Sequence, residues 1–243
     1  MWYKQIKAFA EHFKVLVFDI RGHGETSKNM PIDVPEYTFD LAADDIKQLM
    51  QHLGIKKAHF CGVSFGTMIL QRFLTKYPSM VKSLIFGGLI TKYSLIHRLL
   101  IHLGDKILMK IMSKDTFYKL CAYLFMPKKR HAAARKLFIR ESKKVSSDAF
   151  IKWWKAVRRE KIFELLPSNI TIPTLVLMGS EDYVFLKSSR LIHQKFKNVT
   201  YVMIEKCGHV CSLEKHKIFN EHCIRFIQGI KDKLQVQNHA VNE

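Results

Sequence analysis

The 243-residue chain has no apolar run approaching the roughly 18 residues that a membrane-spanning helix needs. Its N-terminus carries no signal-peptide pattern, because Lys4, Lys7, Glu11 and His12 interrupt every apolar stretch there. A cytoplasmic location is the default expectation. The five cysteines are odd in number and include no Cys-x-x-Cys pair, which argues against a disulfide framework. Cys207, Cys211 and Cys223 do lie near His209 and His216 in the sequence, which raises a metal reading. Without paired ligand spacing, reduced structural thiols are the expected state, and no metal or other cofactor is expected. Internal repeats and low-complexity linkers are absent. Acidic residues are scarce, 21 Asp or Glu against 40 Lys or Arg, for a formal net charge of +19. No nucleic-acid-binding motif accompanies that charge, so no nucleic-acid partner is expected.

What is present is enough apolar material, 48% of residues, for one substantial core with an inserted lid. Strand-like runs alternate with helical patterns, which predicts an α/β protein with a mainly parallel sheet. The most informative stretch is Phe60-Cys61-Gly62-Val63-Ser64-Phe65-Gly66, a Gly-x-Ser-x-Gly core entered from apolar Ala58-His59-Phe60 and leading into a helical pattern. Alone it reads equally as a Gly-Ser turn in a loop. Its weight comes from two residues further along the chain: Asp182 after the apolar run Thr174-Leu175-Val176-Leu177, then His209 in Lys206-Cys207-Gly208-His209. Small residues two before and two after Ser64 permit a sharp strand-to-helix turn that exposes the hydroxyl. An unassisted serine is a poor nucleophile, so a His must take its proton and a carboxylate must orient that His.

With those residues in view, the chain resembles the α/β-hydrolase superfamily, at four places. Val15-Leu16-Val17-Phe18-Asp19-Ile20-Arg21-Gly22-His23-Gly24 resembles the family's strand ending in an Asp-x-Arg-Gly-His-Gly turn. Tyr37 to Asp45, with Leu53-Gly54, resembles the helix leading into the nucleophile strand. The elbow and the acid-then-His order complete the match; Val63 and Thr67 depart from the commoner His and Gly. The resemblance implies a mainly parallel sheet flanked by helices, with an all-helical cap inserted between strands six and seven. The family's sheet runs in the order one, two, four, three, five, six, seven, eight. Met1 to Phe13 then matches the helix after strand three and Val15 to Phe18 matches strand four, so the first three strands have no counterpart. The expectation is an N-terminally shortened hydrolase with Met1 an internal methionine; a naturally short variant is the alternative. The loop after strand three normally carries one of two oxyanion-hole amides, which leaves the backbone N–H of Phe65. Losing one such donor costs about 100- to 1000-fold in turnover.

The resemblance divides the chain into a first core part, residues 1–90, a helical cap, 91–166, and a second core part, 167–243. The cap segment holds 19 of the Lys or Arg and only 6 Asp or Glu. Leu95, Leu99, Leu103, Ile107 and Ile111 recur at helical spacing around His97, Arg98, Lys106 and Lys110. Phe117, Leu120, Leu124 and Phe125 continue the pattern to Pro127; basic helices come next at 128–140 and 147–160. Aromatic residues such as Trp153 and Phe117 either glue the cap to the core or line an acyl pocket. The basic face is either a solvated surface or draws an acidic substrate or an anionic membrane surface.

The roles implied are Ser64 as nucleophile, His209 as general base and then acid, and Asp182 as the residue that orients His209. Glu181, Glu205 and Glu214 are rivals for the acid. The spacing Gly179-x-x-Asp182 matches the family pattern and favours Asp182. His23 reads as a turn residue near the site, and His97, His102 and His131 as cap residues with packing or surface roles. Relatives that open epoxides or displace halide carry Asp at the elbow, so Ser64 points to acyl chemistry on a small molecule: a carboxylic ester first, with thioester, lactone and carbon–carbon bond hydrolysis open. A silent binding module of the same fold, or a fragment unstable alone, is the alternative. Oligomeric state is not legible.

Overall fold

The structure, a computed structural model, describes residues 2–27, 34–92, 112–159 and 161–240. The expected helical repeat of Leu95 to Ile111 lies outside the described residues, as does Glu160. Helix α1 (Tyr3–Ala10) opens the chain. Helix α2 (Phe39–His52) starts where the Thr38 hydroxyl accepts a hydrogen bond from the Leu41 N–H at 3.0 Å. It buries Phe39, Ala42, Ala43, Ile46 and Met50, one face of a 3.6-residue period. Strand β1 (Ala58–Val63) runs directly into α3 (Phe65–Lys76), and β2 (Val81–Gly87) comes next.

Between β2 and β3 (Thr174–Gly179) the described residues form helices and no strand: α4 (Lys114–Phe125), α5 (Ala132–Ser142), α6 (Ser147–Arg159) and the one-turn α7 (Ile162–Leu165). A short α8 (Leu186–Ser189), strand β4 (Val199–Ile204), α9 (Cys211–Glu214) and the long α10 (His216–Ala240) complete the order. The four strands form one all-parallel sheet in the order β1-β2-β3-β4.

Residues on β2 and β3 alternate between two apolar clusters, one on each face of the sheet. Leu84, Phe86, Val176 and Met178 pack with α2 and α3, whereas Ile85, Leu175 and Leu177 pack with Phe219 and Cys223 of α10. Cover on both faces explains why these strands read as continuous apolar runs. α1 is pinned to the C-terminal helices by buried Gln5, whose Nε2 donates to the Ser212 carbonyl at 2.8 Å and to Asn220 Oδ1 at 3.0 Å. Among the described residues no helix is long and apolar enough to cross a membrane.

One expected strand is not one. Val15 to Phe18 forms no regular secondary structure, and these residues are 37 to 45% exposed. A strand exists only as a member of a ladder, and among the described residues β1 pairs with β2 alone.

Candidate active site

The elbow is visible as a backbone conformation. Ser64 sits at φ 52° and ψ −118°, a region that side chains rarely tolerate, between the last residue of β1 and the first of α3. Gly62 makes room for it: a Cβ there would meet Leu70 Cδ1 at 2.8 Å and the Gly66 carbonyl at 2.9 Å. A Cβ on Gly66 would meet nothing within 4 Å, so the expectation that smallness is required on both sides of Ser64 holds only for Gly62. Thr67, one of the two departures in the motif, has a specific place. Its hydroxyl donates to the Ser64 carbonyl at 2.7 Å and accepts from the Ile90 N–H at 3.2 Å, fastening the elbow to the chain leaving β2.

Three loops at the carboxyl ends of the strands bring Ser64, Asp182 and His209 together. His209 is fully buried; its Nε2 lies 2.7 Å from Ser64 Oγ and its Nδ1 2.7 Å from Asp182 Oδ2. Asp182 is likewise buried, and its second oxygen accepts from the Phe185 N–H at 3.0 Å. With the carboxylate as acceptor at Nδ1, that nitrogen carries the imidazole proton, and Nε2 is left to accept from the serine hydroxyl. The rings of Phe125 and Phe185 stand on His209, each with its centroid at 4.9 Å. Gly179 permits the close approach of the acid loop to the histidine loop: a Cβ there would lie 2.1 Å from the Gly208 carbonyl oxygen. The two loops are further joined by the Glu181 N–H donating to the Cys207 carbonyl at 2.8 Å.

None of the three rival carboxylates faces His209. Glu181 turns away to Lys128 and His131, Glu214 accepts from the Gly208 N–H at 3.0 Å, and Glu205 is exposed. The backbone N–H of Phe65 heads α3, among the first-turn amides that have no partner within a helix. The Phe65 ring is packed by Phe39, His23 and, edge-on at 4.9 Å, Trp153. His23 keeps the turn position expected of it: its Nδ1–H donates to the Arg21 carbonyl at 3.2 Å, and burial lowers its pKa. Trp153 is 5% exposed, bonded to the Arg21 carbonyl and set among core aromatics, so it glues the helical segment to the core. Phe117 packs on Tyr118, Phe150 and Trp154 within the same segment.

All five cysteines are free, and burial pushes the Cys207 and Cys211 thiols well above their ordinary range. Among the described residues no group of His, Cys, Asp and Glu is arranged to hold a metal ion. Sequence reasoning missed Phe125, Phe185 and the cluster of Lys128, His131, Glu181 and Glu214 behind the two loops. Only the apolar run ending at Phe125 hinted at the first of these.

Comparison with known proteins agrees with the fold described above. Residues 1–104 match the family described as alpha/beta hydrolase fold. Among curated proteins, epoxide hydrolase 3 of Mus musculus is 26% identical over 204 residues, 76% of this chain and 54% of that protein. The chain spans about half, or less, of the length of the first curated relatives it matches. Among solved structures, the enol-lactonase from Burkholderia xenovorans LB400 superposes with a TM-score of 0.77 at 18% identity, over 93% of this chain and 85% of that one. An esterase from Exiguobacterium antarcticum gives a TM-score of 0.77 at 22% identity over the same shares. The chain therefore has the α/β-hydrolase fold.

Proposed function

We propose that this chain is a serine hydrolase that cleaves carboxylic esters of small molecules through an acyl-enzyme on Ser64. The observation that carries the reading is the continuous pair of 2.7 Å contacts from Ser64 Oγ through His209 to Asp182. His209 Nε2 takes the hydroxyl proton as Oγ bonds to the ester carbonyl carbon, and Asp182 holds the resulting imidazolium. The Phe65 N–H donates to the oxyanion. Collapse of the tetrahedral species expels the alkoxide, which leaves with the proton from His209. Water, deprotonated by the same nitrogen, then releases the acid and restores Ser64. A serine rather than a carboxylate at the elbow is the reason for proposing ester chemistry, although several relatives carry an epoxide hydrolase name. An esterase and an enol-lactonase among the structural neighbours are in keeping with it.

The aromatic rings of Phe65, Phe125 and Phe185 around Ser64 and His209 favour an apolar acyl group. Exposed Lys119, Lys136 and Lys155 on α4, α5 and α6, with Lys143 just after α5, favour an anionic substrate or surface. Intact-mass detection of labelling by a fluorophosphonate probe tests the reading. A single adduct that is absent in Ser64→Ala is expected; no adduct under conditions that saturate an ordinary serine hydrolase would leave the silent binding module as the better description.

A further inference from the structure

Behind the Asp182 and His209 loops, five charged or ionisable side chains from three parts of the chain converge: Lys128, Arg130, His131, Glu181 and Glu214, with Arg130 Nε 3.6 Å from Glu181 Oε2. His131 lies in the helical segment between β2 and β3, and its side chain is fully buried. Its Nδ1 accepts from the Lys128 N–H at 3.2 Å, so the ring proton is on Nε2, which donates to Glu181 Oε2 at 2.8 Å. Glu214 Oε2 lies 3.5 Å from the same Nε2. Lys128 Nζ donates to the other Glu181 oxygen at 2.7 Å.

Each carboxylate is one step from the candidate active site. Glu181 precedes Asp182 and its N–H holds the Cys207 carbonyl; Glu214 holds the Gly208 N–H next to His209. The His209 N–H in turn donates to the Phe125 carbonyl, six residues before His131, at 3.2 Å. Lys128 holds the Glu181 carboxyl below the usual carboxylate range, while burial pushes that of Glu214 up. Glu181 is thus the anion to which His131 donates.

We propose that His131, assisted by Lys128, is a positioning residue: it clamps Glu181 and Glu214 so that the helical segment fixes the spacing of the Asp182 and His209 loops. The proposal rests on the serine-hydrolase reading for its kinetic consequence, though not for its structural one. A buried hydrogen-bonded group touching both loops is where a small shift has leverage, since misplacing reacting groups by 1 Å costs about 100-fold.

The test compares His131→Ala with His131→Gln, which restores a donor and an acceptor, and with Val145→Ala, a buried change in the same segment outside the cluster. One readout is the far-downfield proton NMR signal of His209 Nδ1–H; the others are Tm, the fluorophosphonate labelling rate, and kcat and KM on a chromogenic ester. His131→Ala is expected to displace or lose the Nδ1–H signal and to lower kcat and labelling about 10- to 100-fold, with KM within about twofold. His131→Gln is expected to recover most of both, and Val145→Ala to keep the signal at a matched loss of Tm. Equal behaviour of His131→Ala and Val145→Ala would overturn the proposal. A wild-type chain that shows the signal but takes no label would sink the hydrolase reading, while the signal comparison still decides the clamp. Should His131→Ala not fold, Lys128→Met at the half-exposed end of the cluster replaces it; an unmoved signal and unchanged labelling would then count against the clamp.

Discussion

Two apolar runs of nearly the same make-up, Val15-Leu16-Val17-Phe18 and Leu175-Val176-Leu177-Met178, have opposite fates. The second is the centre of β3, at most 1% exposed, paired with β2 on one side and β4 on the other. The first is 37 to 45% exposed and belongs to no ladder among the described residues. Both lead into a turn that reaches the candidate active site. After Met178 come Gly179, which ends β3, and then Asp182; after Phe18 comes the turn holding Arg21 and His23. The turn after β3 is held by backbone pairing and by the Glu181 side chain. The turn after Phe18 has its own His23 N–H to Ile20 carbonyl bond and is tied to the rest of the molecule by side chains. Arg21 makes a bidentate pair with Asp45 of α2 at 2.6 and 2.9 Å, the Arg21 carbonyl accepts from Trp153, and the Thr26 hydroxyl donates to the Asp19 carbonyl. Strand propensity is common to both runs; what differs is neighbours.

The comparison can be sharpened most strongly at its functional end. Asp182→Asn, which keeps the shape and puts the wrong tautomer on His209, is expected to lower kcat about 10⁴-fold with little change in Tm, read by ester turnover and calorimetry. A milder loss would mean that the ladder-held turn does not orient the imidazole. In β3 itself, Leu177→Ala should cost about 2–5 kcal/mol in denaturant unfolding, the usual range for a fully buried leucine.

Loosening the other turn should matter less. Asp45→Ala leaves Arg21 without its partner at a half-buried site, and about 1 kcal/mol is expected, within the range for charge-assisted bonds near a surface. A larger loss would show that side chains hold their turn as firmly as the ladder holds its own. Val17→Ser in the unpaired run should change stability by less than about 0.5 kcal/mol. A cost comparable to Leu177→Ala would break the comparison, because it would mean that Val17 is buried in solution.

The last expected effect concerns pH at β1, the strand with one described neighbour. Burial, then the nearby charges of Lys82 and Lys231, lowers the His59 pKa to about 4. The unfolded imidazole titrates near 6.5, so between about 4 and 6.5 the unfolded chain binds the extra proton. The contribution of His59 is therefore complete above 6.5 and is lost as pH falls toward 4. His59→Gln should flatten the unfolding free energy over that window without altering it at pH 8, as measured by urea titrations at several pH values.

The contrast between the runs also marks how far the sequence could be read. Ser64, Asp182 and His209 were legible because the chemistry demands those side chains in that order and each comes after a strand-like run. The parallel sheet was legible for the same local reason. Whether Val15 to Phe18 pairs was not, since a ladder partner is a long-range property that no window around these residues contains. Asp182 is preferred to Glu181 and Glu214 because Gly179-x-x-Asp182 resembles the family pattern; residue type alone does not separate the three. All three are acids near the right place, and only tertiary packing turns two of them toward His131. Gly66 read like Gly62 in the motif, yet the folded elbow crowds only one of them.

The backbone at Ser64 sets chemistry against durability at a single residue. A non-glycine residue in that conformation carries about 1–3 kcal/mol of strain. Glycine would relieve it, so the residue that best suits the turn is one that cannot perform the proposed reaction. Variants selected only for heat resistance should drift toward Ser64→Gly, and a library screened for ester turnover should reject the same change. Sorting one library both ways would show at this position how much stability the fold gives up in order to present a nucleophile.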